Sequence, residues 1–273
     1  MPRHSRRINN NPEEREPVPQ WFFAAFTGDR SGSMSSMEGA SATGLYEWVQ
    51  TMKESANENN QTGFISVTTF DNVKNKVINN IESKSVQFTK NDAEREMAPR
   101  GTTRLYDTAI EDIDDLLDNV EKFKNTLPNS VKNLNPNISI TWVCCTDGMD
   151  NNSINTSEDL RERVIDARKK GVKCFFIAAN QDAVMAGNSY GFRQDSSLTF
   201  SANRVNAGIA FRSVSDNMKR ASIGSQNTPF TQTMRQSSLA EDARQTISMR
   251  PRSILRTPNL QMQPRMSLRM PAM

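Results

Sequence analysis

Histidine is almost missing from this chain of 273 residues: its one histidine, His4, lies near the N-terminus. A Ser-His-Asp or Cys-His catalytic centre and a histidine-ligated zinc are therefore excluded from the folded part of the chain. The sequence also lacks any run of about 18 apolar residues, so it predicts no membrane span. Its first residues show no signal-peptide pattern, and we expect an intracellular, cytoplasmic location.

Cysteine is scarce as well. The three cysteines, Cys144, Cys145 and Cys174, lie in segments that are predicted to be buried strands. We interpret them as small core residues that stay reduced. The composition is 36% hydrophobic with a mean hydropathy of −0.67, which allows one folded domain of ordinary size plus polar tails.

Short apolar runs alternate with helical patterns through the middle of the chain. Strands that alternate with helices indicate a parallel sheet covered on both faces, with one short antiparallel strand at its edge. The predicted fold class is therefore α/β, a doubly wound and mostly parallel six-stranded sheet with helices on both faces. The predicted strands are residues 21–26, 63–70, 77–81, 138–146, 172–179 and 198–201.

The helical segments are predicted from apolar residues at a spacing of three and four. The first helix carries such a stripe from Leu45 to Ala56, and a later helix has one from Ile110 to Val120. Opposite this second stripe lies a run of acids that we interpret as a solvated face. These acids are Glu111, Asp112, Asp114, Asp115 and Asp118.

Both ends of the chain differ in composition from its centre. Residues 1–19 are polar and predict a flexible arm, and residues 20–221 form the predicted domain. Residues 222–273 contain seven arginines against one glutamate and one aspartate, without helical periodicity. They predict a disordered basic tail, and we expect it to be an interaction segment for an acidic protein or a nucleic acid. Phosphorylation would reverse its charge locally.

Three side chains that offer oxygen follow the first predicted strand. Asp29, Ser31 and Ser33 alternate along the segment that connects this strand to the first helix. Ligands of doubly wound sheets bind at the carboxyl ends of the strands. One carboxylate and two hydroxyls that converge there would suit a hard cation such as Mg²⁺.

Two further segments end at the same predicted edge. Thr103 precedes a helix in the sequence Gly-Thr-Thr-Arg-Leu, and Asp147 follows a strand in Thr-Asp-Gly. Together with Asp-Arg-Ser-Gly-Ser at residues 29–33, they resemble the metal-ion-dependent adhesion site of von Willebrand factor type A domains. This family's pattern is Asp-x-Ser-x-Ser, then a threonine, then an aspartate. The resemblance covers residues 20–221 and matches all three elements in order.

The resemblance implies a fold, a ligand set and a function. It implies the strand order 3-2-1-4-5-6 and a bound Mg²⁺ (or Mn²⁺). Ser31 and Ser33 would bind the metal directly, Thr103 directly or through water, and Asp29 and Asp147 largely through water. A protein partner would supply a carboxylate to the remaining position, so the expected function is metal-dependent adhesion without catalysis. Arg30 would either attract that carboxylate or simply face solvent.

Two other functions remain open at this point. The first is a Mg²⁺-dependent phosphohydrolase with Asp29 as nucleophile, but Ser31 stands where such enzymes need a second aspartate, and no histidine is near. The second is nucleic-acid binding by the seven arginines of the tail, although no aromatic residue follows Phe230 to stack on bases. Fold alone does not decide between these functions.

Overall fold

A computed structural model describes residues 20–37, 39–133, 136–179 and 182–239 of the chain. The predicted arm, residues 1–19, lies outside the described residues, as does the predicted tail from residue 240 onward. Within the described residues the chain folds around a single mixed sheet.

The sheet contains six strands in the order β3-β2-β1-β4-β5-β6. Neighbouring strands run parallel, except that β3 pairs antiparallel with β2 at one edge. This arrangement confirms the predicted α/β class and the strand order. The strands are β1 (Trp21–Asp29), β2 (Thr62–Phe70), β3 (Lys74–Glu82), β4 (Ile138–Thr146), β5 (Val172–Ala179) and β6 (Ser197–Phe200).

Helices connect the strands and cover both faces of the sheet. Three 3₁₀ helices, Gly32–Met37, Ser83–Ser85 and Gln194–Ser196, lie among the α-helices. The α-helices are α1 (Ala40–Glu58), α2 (Lys90–Glu96), α3 (Leu105–Thr126), α4 (Asn129–Lys132), α5 (Ser157–Lys169), α6 (Ala183–Ser189), α7 (Arg204–Ser222) and α8 (Gln232–Ser237).

Side chains along β1 alternate between the two faces of the sheet, and each face has its own hydrophobic core. Phe22 and Phe26 point to the face covered by α1, α2 and α7, whereas Phe23 points to the face covered by α3, α5 and α6. Successive side chains of a strand point to opposite faces, so a central strand buried on both faces reads as a continuous apolar run. This is why the predicted bounds of β4 and β5 agree with the structure, whereas β1 and β3 are longer than predicted.

The helices α1 and α7 pack closely at a glycine. A Cβ atom added to Gly44 would lie 2.1 Å from the ring of Phe211 on α7, so no larger residue fits at this position without movement. Trp48, one turn further along α1, is fully buried and donates its indole N–H to the sulfur of Met218 at 3.2 Å. The close approach lets two helices share one face of the sheet above β1.

One acid of α3 contradicts the predicted solvated face. Asp112 is buried and accepts hydrogen bonds from Thr27 at 2.6 Å and Thr68 at 2.9 Å, and its carboxylate lies 2.9 Å from Lys74 Nζ. Asp114 and Asp118 are exposed, and Glu111 and Asp115 are partly exposed. The prediction is wrong at Asp112 because hydroxyls of β1 and β2 and a lysine of β3 replace its water, which requires tertiary contacts that helical periodicity does not report.

The buried pair makes a stability prediction. Replacing Lys74 by Met removes the cation beside the buried Asp112, and we expect a loss of about 3 kcal/mol in the free energy of unfolding. Lys76 is the matched control, because its ion pair with Asp115 is exposed, and Lys76→Met should cost less than about 1 kcal/mol. Urea denaturation at neutral pH measures both. Equal losses in the two variants would contradict this account of Asp112.

The chain after α7 corrects the predicted domain boundary at residue 221. Phe230 is 4% exposed and packs its ring against Phe175, with the two centroids 6.0 Å apart. Arg235 donates to the carbonyl of Ser197, and the hydroxyl of Ser238 donates to the carbonyl of Thr199, each at 2.7 Å. The expectation of a tail outside the fold is therefore wrong for residues 222–239.

A variant of Phe230 tests whether this segment contributes to the stability of the domain. Phe230→Ala opens a cavity against Phe175, and we expect it to lower the free energy of unfolding by about 3 kcal/mol. Leu239→Ala serves as the control because Leu239 is 49% exposed and should change stability by about 0.5 kcal/mol or less. Thermal and urea unfolding of the full chain distinguish the two. If both variants unfold like the wild type, the segment is a passive extension.

Candidate metal centre

The candidate site lies where the strand order reverses. Chain connections leave β1 toward β2 on one side and reach β4 on the other, which opens a crevice at the carboxyl ends of β1 and β4. Asp29 is the last residue of β1, and Thr146 is the last of β4. The structure therefore differs slightly from the loop predicted for residues 29–33, because Asp29 belongs to the strand and Ser33 to the 3₁₀ helix that follows.

Asp29 lies at the base of the site and is fully buried. One carboxylate oxygen accepts the backbone N–H of Ser31 at 2.7 Å, and the other accepts the hydroxyl of Thr146 at 2.6 Å. The first bond closes a tight turn that brings Ser31 above Asp29, and the second ties β1 to β4. Thr146 was not among the predicted site residues, although it precedes Asp147 directly.

Above Asp29, three side chains form a continuous chain of hydrogen bonds. The hydroxyl oxygens of Ser31 and Ser33 lie 3.0 Å apart, and Ser33 donates to a carboxylate oxygen of Asp147 at 2.7 Å. Ser31 is buried, whereas Ser33 is exposed and Asp147 partly exposed. The site is therefore open to solvent on the side of Ser33.

Thr103 borders the same space across a glycine. A Cβ atom on Gly148 would lie 3.7 Å from Ser33 Oγ and 3.9 Å from Thr103 Oγ1, so both hydroxyls face the room left by this glycine. The structure thus brings Asp29, Ser31, Ser33 and Asp147 into contact and places Thr103 beside them. All five predicted residues lie at one edge of the sheet.

A loop after β4 positions Thr103. This role of the loop was not predicted from the sequence. Asn151 accepts the backbone N–H of Thr103 at 2.9 Å, and the backbone N–H groups of Asn151 and Asn152 donate to the carbonyl of Thr103. Asp150 accepts the backbone N–H of Leu105 at 2.7 Å, at the N-terminus of α3. A dense run of Asp and Asn signals a loop, but only the fold shows that it caps a remote helix.

Arg30 corrects both interpretations made from the sequence. Its side chain is 4% exposed. Its Nε lies 3.1 Å from a carboxylate oxygen of Asp71, and one guanidinium nitrogen donates to the carbonyl of Glu96 at 3.3 Å. Arg100 donates to the same carboxylate oxygen at 2.7 Å. Arg30 therefore neither faces solvent nor reaches toward a ligand, and it joins the first loop of the site to the β2–β3 turn.

The electrostatics of the site are those of acids without a cation. Among the described residues, neither Asp29 nor Asp147 forms an ion pair with lysine or arginine. Burial raises the pKa of Asp29 to about 6, and burial also raises the pKa of Asp147 despite the hydrogen bond from Ser33. Two neighbouring carboxyls that lack a positive partner, beside three hydroxyls, are a donor set that fits a hard divalent cation.

The composition of this donor set differs from that of a carboxylate- or cysteine-based metal cluster. In the part of the chain that the structure describes, no group of three or more His, Cys, Asp or Glu side chains is placed to hold a metal ion. The candidate site has only two acids, and its remaining oxygens belong to serine and threonine. The three cysteines are free and buried, as predicted.

Solved structures with a similar fold support the architecture. The von Willebrand factor domain of the type V pili tip protein Mfa5 from Porphyromonas gingivalis matches with a TM-score of 0.51 and 10% identity, over 80% of this chain and 100% of that chain. The pilus adhesin SpaC from Lactobacillus rhamnosus GG matches with a TM-score of 0.52 and 11% identity, over 77% of this chain and 31% of that chain. The fold is that of a von Willebrand factor type A domain.

The remaining comparisons give a partial structural match and no match by sequence. Proximal thread matrix protein 1 from the mussel byssus matches with a TM-score of 0.48 and 14% identity, over 75% of this chain, and the chain spans 47% of that protein. No protein-family model and no curated protein sequence matches the chain. Among the residues that the structure describes, no helix is long and apolar enough to cross a membrane.

The raised pKa of Asp29 predicts a pH dependence of stability. Without metal, the folded carboxyl (pKa about 6) holds its proton more tightly than the unfolded one, with a pKa of about 3.9. The contribution of Asp29 to the free energy of unfolding is therefore largest below about pH 4. It falls by about 2 to 3 kcal/mol as the pH rises from about 4 to above about 6.

Asp29→Asn isolates this effect, because asparagine does not titrate. In EDTA at pH 7 we expect the variant to be more stable than the wild type, with the difference shrinking toward pH 4. Asp216→Asn, at an exposed position on α7, is the control and should follow the wild type. Urea denaturation across this range measures the difference. A wild type that gains stability relative to Asp29→Asn as the pH rises would contradict the assigned environment.

Proposed function

We propose that the chain is a protein-binding module whose site holds one Mg²⁺ or Mn²⁺ and takes a carboxylate from a partner protein. The observation that carries this proposal is the pair of carboxyls, Asp29 and Asp147, which lie without a cation beside three hydroxyls at the open edge of the sheet. A divalent cation would supply the missing positive charge and a position for an acidic ligand.

The hydroxyls and the carboxylates would have different roles at the metal. Ser33 offers its hydroxyl oxygen at the exposed side, the buried Ser31 and Thr103 offer theirs beside it, and Asp29 is fully buried behind them. Neutral ligands leave most of the charge of the cation available to an incoming anion. Asp29 and Asp147, through their hydrogen bonds to Ser31 N–H and the Ser33 hydroxyl, hold these hydroxyls in place.

Binding rather than catalysis is supported by the surroundings of the acids. Both oxygens of Asp29 already accept short hydrogen bonds inside the protein, which disfavours Asp29 as the nucleophile of a phosphohydrolase. A general acid or base would also be needed near the site, and the histidine of the chain is at position 4. We therefore propose a non-enzymatic adaptor or adhesion role inside the cell.

The similar folds agree with this role in a general way. One of the matching structures is described as a pilus adhesin and another as a pili tip protein. The basic residues beyond position 239 would provide a second contact, to an acidic protein or a nucleic acid, and add avidity when both contacts reach one assembly. Six arginines lie beyond residue 239, against one glutamate and one aspartate, and they are the basis of this part of the proposal.

Metal binding tests the first half of the proposal. Titration calorimetry with Mn²⁺ and Mg²⁺ should show one site in the wild type, and the double variant Ser31→Ala with Asp147→Ala should reduce affinity by at least about tenfold. Ser36→Ala is the matched control, since Ser36 lies exposed in the same 3₁₀ helix as Ser33. Unchanged binding in the double variant would refute the site assignment.

Partner capture tests the second half. Immobilised protein should capture a partner from cell lysate with Mg²⁺ present and lose it in EDTA. Thr103→Ala should act like EDTA without lowering the melting temperature, whereas Thr102→Ala, at the exposed neighbouring position, should capture normally. If the same partner is captured equally well in EDTA, the domain binds proteins without using a metal.

A further inference from the structure

A basic groove lies at the pole of the sheet opposite the candidate metal centre. It consists of two cavities of about 710 and 770 Å³ that share Arg168, Arg193 and Asp195. The first cavity opens at the amino end of β5, beside Lys173. The second extends to Arg235 in α8. The segment after α7, which the sequence analysis assigned to a tail, forms one wall of the groove.

The cations of the groove outnumber its acids. Arg193 pairs with Asp195 at 2.9 Å. Among the described residues that line the two cavities, Asp195 is the one acidic residue. Arg168 donates to the carbonyl of Gly191, and Lys173 Nζ lies 2.6 Å from the carbonyl of Ser225. These bonds go to neutral carbonyls, so Asp195 is the acid whose charge Arg168, Arg193 and Arg235 share.

Partial burial of the cations strengthens the effect of this excess of positive charge. Arg235 is half-buried and donates to two backbone carbonyls, without an ion pair among the described residues. Burial also lowers the pKa of Lys173, which has no carboxylate partner there to offset the loss of water. Partly desolvated cations that share one acid attract an anionic ligand strongly, because the low local dielectric strengthens the interaction.

The side chains that line the groove favour a ligand with carboxylates over single-stranded nucleic acid. The aromatic residues that line it, Phe175, Phe192 and Phe230, are at most 4% exposed. No ring among them is available to stack on a base, which is the usual source of affinity for single strands. Guanidinium and ammonium groups spread over two joined cavities instead match several carboxylates along an extended peptide.

The chain itself carries an acidic segment a few residues before β1 in the sequence. Residues 13–16 are Glu-Glu-Arg-Glu, a segment with a net charge of about −2 at neutral pH. They precede β1, which begins at the same pole of the sheet as β5. Two strand spacings, about 10 Å, separate β1 from β5. The four residues from Glu16 to Gln20 span up to about 13 Å, and the seven from Glu13 up to about 23 Å. The acidic segment is therefore long enough to reach the groove.

We propose that the basic groove binds a carboxylate-rich peptide segment and that residues 13–16 of the same chain are its resident occupant. An acidic segment of another protein would then have to displace these glutamates to bind. The groove and the candidate metal centre lie at opposite ends of the strands, so this proposal stands independently of metal binding.

Zero-length carbodiimide cross-linking of the full chain tests the occupant. We expect Lys173, or the neighbouring Lys169, to become linked to Glu13, Glu14 or Glu16 within the monomer, as mapped by mass spectrometry. Lys122 is the control, because it is exposed and paired with Asp118 on α3. Links that form only in a dimer, or equally to Lys122, would overturn binding within one chain.

A labelled hexaglutamate peptide tests the groove itself. In the full chain with Glu13→Gln, Glu14→Gln and Glu16→Gln, loss of the internal competitor should tighten binding of this peptide about tenfold relative to wild type. Lys169 and Arg193 line the first cavity at exposed positions, and adding Lys169→Gln and Arg193→Gln should abolish this binding. Lys122→Gln with Arg95→Gln, equally exposed but elsewhere, should leave it unchanged.

Three outcomes would overturn the proposal. The first is equal affinity of the wild type and the triple glutamine variant for hexaglutamate. The second is binding that survives Lys169→Gln and Arg193→Gln but not the control pair. The third is displacement of hexaglutamate by polyuridylate at far lower concentration, which would assign the groove to nucleic acid. Matching melting temperatures of all variants ensure that folding does not cause the differences.

Discussion

The arrangement of the site depends on one buried carboxylate. Asp29 accepts the Thr146 hydroxyl on one oxygen and the Ser31 N–H on the other, and so joins the ends of β1 and β4 where the strand order reverses. Leaving a carboxyl in this position without a cation is unfavourable, as its raised pKa shows. The domain accepts that cost at the one place where two diverging connections leave room for a ligand.

Much of the architecture could be predicted, because the central strands are buried on both faces. Apolar runs therefore mark β4 and β5 with the bounds that the structure shows. The position of the five candidate residues at one edge of the sheet was predictable, because they adjoin strand ends and helix starts that the topology brings together. Polar contacts between elements that are distant in sequence could not be predicted. For this reason Asp112 and Arg30 were both misinterpreted as exposed.

The same limitation explains the error at the end of the domain. Residues 223–239 have few apolar residues and no helical period, so their composition suggests a tail. One aromatic side chain, Phe230, and hydrogen bonds to the carbonyls of β6 hold the segment on the fold instead. Side chains that satisfy backbone groups of another element leave no periodic signal in the sequence.

That segment has a consequence for how copies of the protein behave in a crowded solution. The outer edge of β6 would otherwise present free carbonyls to any exposed strand nearby, but Arg235 and Ser238 occupy those of Ser197 and Thr199. The opposite edge, β3, is protected differently, by irregular register against β2 and by the charged Lys76. Both borders of the sheet are thus poor templates for strand addition, which guards the domain against edge-to-edge aggregation.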